Sequence, residues 1–131
     1  MEFKPPVVQI ALDYPTIDED LSMANIAVVA GADWLEIGTP LITCQGLNPI
    51  GQMAKAFPNY TVLADHKTMD SGGKNVLRTA EQDGHVMTVC AGAPDETVQS
   101  AIVESKNTGV RVVVDTIGMK NQATRAKQCA D

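Results

Sequence analysis

The stretch YTVLADHKTMD, residues 60–70, runs from an apolar, β-branched segment straight into four ionisable side chains, Asp65, His66, Lys67 and Asp70. A solvated turn needs no apolar run in front of it. A core strand does not tolerate such a cluster unless its charges are paired. The stretch therefore reads as a buried strand whose C-terminal end carries polar chemistry. Residues two apart share a face of a strand, so Asp65 and Lys67 are expected side by side and His66 on the opposite, helix-facing side.

Four further runs have the same character: VVQIALD from Val7, WLEIGT from Trp34, VMTVCA from Val86 and RVVVDTIG from Arg111, with starts about 26 residues apart. Each is nearly continuous in apolar residues, as expected for parallel strands covered on both faces. Ile10, Leu12, Val62 and Val114 are expected to face the interior of the sheet. Helix signals lie between the runs. Thr16 and Glu19 form a capping box and Gly31 can end that helix. Asn48 can cap a second helix, with Pro49 at its first position. Ser71 can cap a third, with Val76, Leu77 and Ala80 on its apolar side and Gly84 after it. Pro94, Asp95 and Glu96 fill the first turn of a fourth, which Gly109 closes. NQATRAKQCAD begins a fifth. The pattern is that of an α/β protein forming one domain over residues 1–131. Two architectures fit: a partial (β/α)8 TIM-barrel with about five parallel β/α units, or an open parallel sheet with helices on both faces.

The bulk properties narrow the function classes. With 131 residues, 44% hydrophobic and 20% charged, the chain fits an ordinary globular domain. A formal net charge of −6 without a basic run argues against nucleic acid and anionic membranes as partners. No apolar segment reaches the ~20 residues of a membrane span, and the opening MEFKPP lacks the apolar core of a signal peptide. Cys44, Cys90 and Cys129 show no metal-ligand spacing. They read as reduced thiols of a cytoplasmic protein, with Cys90 as a small core residue.

The polar residues gather at strand ends. Asp13 ends the first run, Glu36 lies within the second, Asp65 and Lys67 end the third, and Asp115 lies near the end of the fifth. In parallel α/β folds the C-terminal strand ends form the active-site face. Asp13 also fits a turn or helix cap, and Asp70 also fits a helix start. Glu36 sits between Leu35 and Ile37, and a buried carboxylate needs a cation, a metal or a proton. Glu36 and Asp65 on neighbouring strands offer hard oxygens that suit Mg²⁺. Lys67 can stabilise charge developing on a substrate oxygen. Such a site suits an enediolate. His85 has no assigned role.

These residues fall into motifs. ALD at 11–13, EIGTPLI at 36–42, ADHKTMDSG at 64–72, TVCAGAPDETV at 88–98 and VVVDTIG at 112–118 resemble, in order and spacing, hexulose-6-phosphate synthases. More distantly they resemble 3-keto-L-gulonate-6-phosphate decarboxylases, in the same orotidine-monophosphate-decarboxylase superfamily of (β/α)8 barrels. The resemblance implies Glu36 and Asp65 as Mg²⁺ ligands and Lys67 as the enediolate-stabilising lysine. It implies Asp70 as a residue reaching into the neighbouring site of a homodimer, and Asp13 and Asp115 as substrate contacts alongside Glu36. Asp65, Lys67 and Asp70 are then the catalytic set. The implied reaction is Mg²⁺-dependent addition of formaldehyde to ribulose 5-phosphate, a step of formaldehyde assimilation. Three stretches depart from the family pattern: His66 replaces an aliphatic residue, QDGHVM differs at the entry to the fourth strand, and CAGAP reshuffles the loop after it. The resemblance reaches about five of eight β/α units. The family's phosphate-binding loops and a histidine of the sixth strand have no counterpart here, so weak or absent synthase activity is expected. The alternatives are an inactive partial-barrel subunit or binding module, and a decarboxylase of the keto-gulonate type. KTMD and the aspartate of VVVDTIG favour the synthase over the latter.

Overall fold

The computed structural model describes residues 6–130, so most of MEFKPP lies outside the described residues. Strands β1 (Gln9–Leu12), β2 (Trp34–Ile37), β3 (Thr61–Thr68), β4 (Val86–Cys90) and β5 (Arg111–Asp115) form one sheet in that spatial order. Every pairing is parallel. Between them run α1 (Ile17–Ala30), α2 (Thr39–Gln45), α3 (Asn48–Ala56), α4 (Gly72–Ala80) and α5 (Asp95–Thr108), and α6 (Gln122–Ala130) follows β5. A doubly wound sheet reverses its strand order at a switch point. This one never reverses, and its helices pack on a single face, so the arrangement is that of a partial barrel.

Register shows which side is which. Leu12, Ile37, Ala64, Met87 and Val112 form one row across the sheet. The first four are buried against Ala24 and Ala27 of α1, Leu41 of α2, Ile50 and Met53 of α3, Val76 of α4 and Ala101 of α5. The neighbouring row is Ala11, Glu36, Leu63, Val86 and Arg111, and it faces the other way. Ile10, Leu12, Val62 and Val114 therefore lie on the helix-covered face, not the interior: Leu12 and Val62 belong to the helix-side core and Ile10 packs against it. The inner face is not a second apolar layer. It carries Gln9, Glu36, Asp65 and Thr88 among its smaller apolar residues.

Local signals explain most boundaries. The Glu19 N–H donates to Thr16 Oγ1, and Gly31 ends α1 in the left-handed conformation at φ 98°, its N–H reaching the Ala27 and Val28 carbonyls. Gly109 closes α5 likewise at φ 81°. Other expectations needed correction. GTP after β2 starts the extra helix α2, with Gly38 as its cap and Pro40 in its first turn. Asn48 is the first residue of α3 rather than its cap, which is Leu47. Ser71 caps α4 only by position: it is left-handed at φ 58° and its side chain makes no cap bond. Leu77 is 40% exposed, so the apolar side of α4 is Val76 with Ala80. Among the described residues no helix is long and apolar enough to cross a membrane.

One buried charge stands apart from the sheet. Asp20 of α1 is fully buried; its Oδ1 accepts the Tyr14 N–H at 3.1 Å and its Oδ2 has no partner. Burial pushes its pKa from 3.8 up to about 6, opposed by the Tyr14 N–H and reinforced by Asp13 and Glu19. A raised carboxyl keeps its proton in the folded state where the unfolded chain has released it. Stability therefore falls as pH rises from about 4 to about 6, by about 3 kcal/mol. Asp20→Asn is expected to remove this limb, leaving stability at pH 4 nearly unchanged and raising the melting temperature at pH 7.5 by several degrees. Melting curves of both proteins across pH 4–7.5 check it; parallel curves contradict the assignment.

Candidate functional site

The inner face carries the predicted residues at one end of the sheet. Glu36 stands one residue from the end of β2, opposite Leu63 in register, and Asp65 follows two residues on along β3. Asp115 ends β5, paired with Cys90 at the end of β4. Asp13 follows β1 and lies against Gly38: a Cβ at position 38 would strike the Asp13 carboxylate and come within 2.7 Å of the Leu12 carbonyl oxygen. The glycine of EIGTPLI is thus required by a close approach of two strand ends.

Asp65 and Lys67 are brought together as the strand period predicts. Lys67 Nζ lies 2.8 Å from Asp65 Oδ2 and 3.2 Å from Asp115 Oδ2. Asp65 is also held by two hydroxyls. Thr39 Oγ1 donates to its Oδ2 at 2.7 Å, and Thr88 Oγ1 donates to its Oδ1 at 2.8 Å. Burial alone would raise the Asp65 pKa; the bonds from Lys67, Thr39 and Thr88 outweigh it and hold the carboxyl below its usual value. Lys67 is raised in turn, chiefly by its bond to Asp65 and then by Asp115, so it is a fixed cation. Its side chain remains 39% exposed, against 7% for Asp65.

Glu36 is in the opposite state. Burial pushes its pKa up; the Gln9 side-chain amide, donating to Oε2 at 2.6 Å, opposes this, while Asp65 and Asp13 repel the charge and Lys67 offsets part of it. Four carboxyl groups, Asp13, Glu36, Asp65 and Asp115, thus share one end of the sheet with the Lys67 ammonium group, an excess of acidic over basic side chains. Glu36 and Asp65 are the carboxylates that could hold a hard cation, although both Asp65 oxygens already accept hydrogen bonds from Thr39, Lys67 and Thr88. Among the described residues no group of three or more His, Cys, Asp or Glu side chains is gathered closely enough to hold a metal by itself.

Asp70 is not part of this cluster. It is exposed beyond β3, and its Oδ1 accepts the N–H of Ser71. His66 points to the helices as expected: its Nε2 lies 2.9 Å from Thr79 Oγ1 of α4, and burial lowers its pKa. His85 accepts the Val62 N–H at Nδ1, 3.0 Å, so it serves the start of the β3–β4 pairing. The sequence reading missed Thr39, Thr88 and Gln9. A threonine inside EIGTPLI and one on the inward parity of VMTVCA were the available signals, but hydroxyls there look like ordinary strand residues. Cys90 lies on the inner face near Asp115 rather than in the core; burial raises its pKa, and Asp115 adds to the rise.

Known proteins share this fold. The 3-hexulose-6-phosphate synthase of Bacillus subtilis (strain 168) is 35% identical over 121 residues, covering 92% of this chain and 57% of its own length. That of Mycobacterium gastri is 36% identical over 121 residues, covering 92% of this chain and 58% of its own length. A crystal structure of 3-hexulose-6-phosphate synthase matches with a TM-score of 0.91 at 35% identity, over 95% of this chain and 59% of that one. A structure of 3-keto-L-gulonate-6-phosphate decarboxylase from Streptococcus mutans in complex with D-R5P shares the fold, with a TM-score of 0.82 at 23% identity, over 95% of this chain and 59% of its own. The chain spans a little under three fifths of the length of these relatives. The profile described as Orotidine 5'-phosphate decarboxylase / HUMPS family matches residues 6–130, nearly the whole sequence, and the chain belongs to that family.

Proposed function

We propose that this chain supplies the enediolate-stabilising part of a 3-hexulose-6-phosphate synthase site, in which ribulose 5-phosphate adds to formaldehyde in the cytoplasm. The observation that carries the reading is the Lys67 ammonium, fixed between Asp65 and Asp115 yet partly open at the end of the sheet. Transfer of a C1 proton of ribulose 5-phosphate to a general base leaves an enediolate; its C1 carbon attacks the aldehyde carbon, and the alkoxide so formed takes the proton back from the protonated base. A preorganised cation beside the developing oxygen charge lowers that barrier, because it is already oriented and needs no solvent rearrangement. Asp13 and Asp115 would accept hydrogen bonds from sugar hydroxyls. Glu36 and Asp65 are the residues that would hold Mg²⁺, which when bound draws charge from the carbonyl and hydroxyl oxygens of the sugar. The excess of carboxylates over cations here supports that assignment. Asp70, exposed with Met69 beside the site and outside its own chain's cluster, supports a homodimer in which it reaches across.

Three outcomes are expected. Formaldehyde-dependent consumption of ribulose 5-phosphate should require Mg²⁺ and fall ~10²–10³-fold in Lys67→Ala. Turnover by Lys67→Ala equal to wild type contradicts the assignment. Mg²⁺ affinity, measured by calorimetry, should weaken on acidification starting above the ordinary glutamate range. The sign follows from Glu36: its raised pKa means protons compete with the metal at higher pH than for a free glutamate. Glu36→Gln and Asp65→Asn should each weaken binding at least about tenfold, and unchanged binding in both rejects the two ligands. Light scattering across a dilution series should give a dimer that Met69→Asp dissociates, whereas a monomer at micromolar concentration removes the role of Asp70.

A further inference from the structure

The β3–β4 ladder slips where the charged cluster begins. Ala64 pairs with Met87 and Thr68 with Val89. Residues 65–67 of β3 therefore stand opposite one residue of β4, Thr88. Within this bulge Lys67 is left-handed, at φ 46°, a conformation that a residue with a Cβ adopts at a cost. Such a bulge disrupts the backbone ladder. Here a side chain completes it: the Lys67 N–H donates to Thr88 Oγ1 at 2.9 Å. The same hydroxyl donates its one proton to Asp65 Oδ1 at 2.8 Å. Thr88 is 6% exposed, so water does not readily replace it.

We infer that Thr88 is the positioning residue of the Asp65–Lys67 pair. Its single hydroxyl holds the left-handed turn at Lys67 and orients the Asp65 carboxylate so that Oδ2 faces Lys67 Nζ. A hydroxyl can serve both because it is at once donor and acceptor. Valine has nearly the same shape and β-branching but leaves a buried N–H and a carboxylate oxygen without partners. Thr39 is the built-in contrast: it bonds Asp65 at Oδ2 and at the main-chain oxygen but makes no bond to the Lys67 backbone. In its catalytic consequence the inference rests on the proposed function; in its structural content it does not.

The test compares wild type with Thr88→Val, Thr88→Ser and Thr39→Val by NMR. The readouts are amide hydrogen exchange at Lys67 and the Lys67 ¹³Cα and ¹³Cβ shifts that report a left-handed backbone. Thr88→Val is expected to speed Lys67 exchange at least about tenfold and to lose the left-handed shifts, the factor expected for one buried hydrogen bond. Thr88→Ser is expected to match wild type, and Thr39→Val to leave the Lys67 amide unchanged. In the synthase assay Thr88→Val is expected to lower kcat about tenfold or more with KM within about twofold, and Thr88→Ser to restore it. Retained protection in Thr88→Val, or lost protection in Thr88→Ser, overturns the inference. Should Thr88→Val fail to fold, Thr88→Cys, with its weaker S–H donor, is expected to speed exchange likewise, and unchanged exchange overturns the inference. If the exchange results hold but Lys67→Ala turns over ribulose 5-phosphate as fast as wild type, the proposed function falls and the positioning role stands.

Discussion

An ionised carboxylate at the end of a buried strand is the constraint on which the functional end of this protein depends. Asp65 has lost most of its water, and a bare charge there is costly. Thr39, Thr88 and Lys67 replace that water with three donors, two of them from neighbouring elements. The carboxylate therefore ties β3 to α2 and to β4 at the point where the backbone ladder is interrupted. Lys67 gains a fixed charge from the same arrangement, held by Asp65 and Asp115, with part of its side chain still open. A surface ion pair of two flexible side chains is worth little. This one differs because one partner is buried and immobile.

The two faces of the sheet divide the work. The row from Leu12 to Met87 packs against all five connecting helices and supplies the hydrophobic stabilisation. The row from Ala11 to Arg111, and the residues following it, carry the polar groups. Because successive residues alternate between the faces, Glu36 and Asp65 are each flanked by residues of the helix-covered face that fix their direction. Leu35 and Ile37, both fully buried, pin Glu36 between them. Ala64 and His66 do the same for Asp65, with His66 bonded to Thr79 on α4. That hydroxyl contact gives the half-buried His66 ring a polar partner on the helix side.

Much of this was legible in the sequence. The 26-residue recurrence of apolar runs, the glycines after α1 and α5, and the i, i+2 spacing of Asp65 and Lys67 are local features, and local features survive translation into structure. The errors share a cause. Short strands of four or five residues with Ala, Thr and Cys on the inner side look uniformly apolar, so the runs read as two-sided core and the inward parity was assigned to the wrong residues. The helix α2 was missed because the run WLEIGT carries Gly38 and Thr39 on from the strand, whereas the chain turns into a helix at Thr39.

The sequence by itself determined the α/β unit, its repetition and the identity of the ionisable residues, because periodicity and end signals act over a few neighbours. Only the tertiary structure decided which hydroxyls serve Asp65, that Asp115 joins Lys67 across two strands, and that Asp70 stands apart. Those outcomes depend on register between β3 and β4 and on a bulge of three residues against one. Register is a relation between distant segments, set by how both pack at once, and no single segment encodes it.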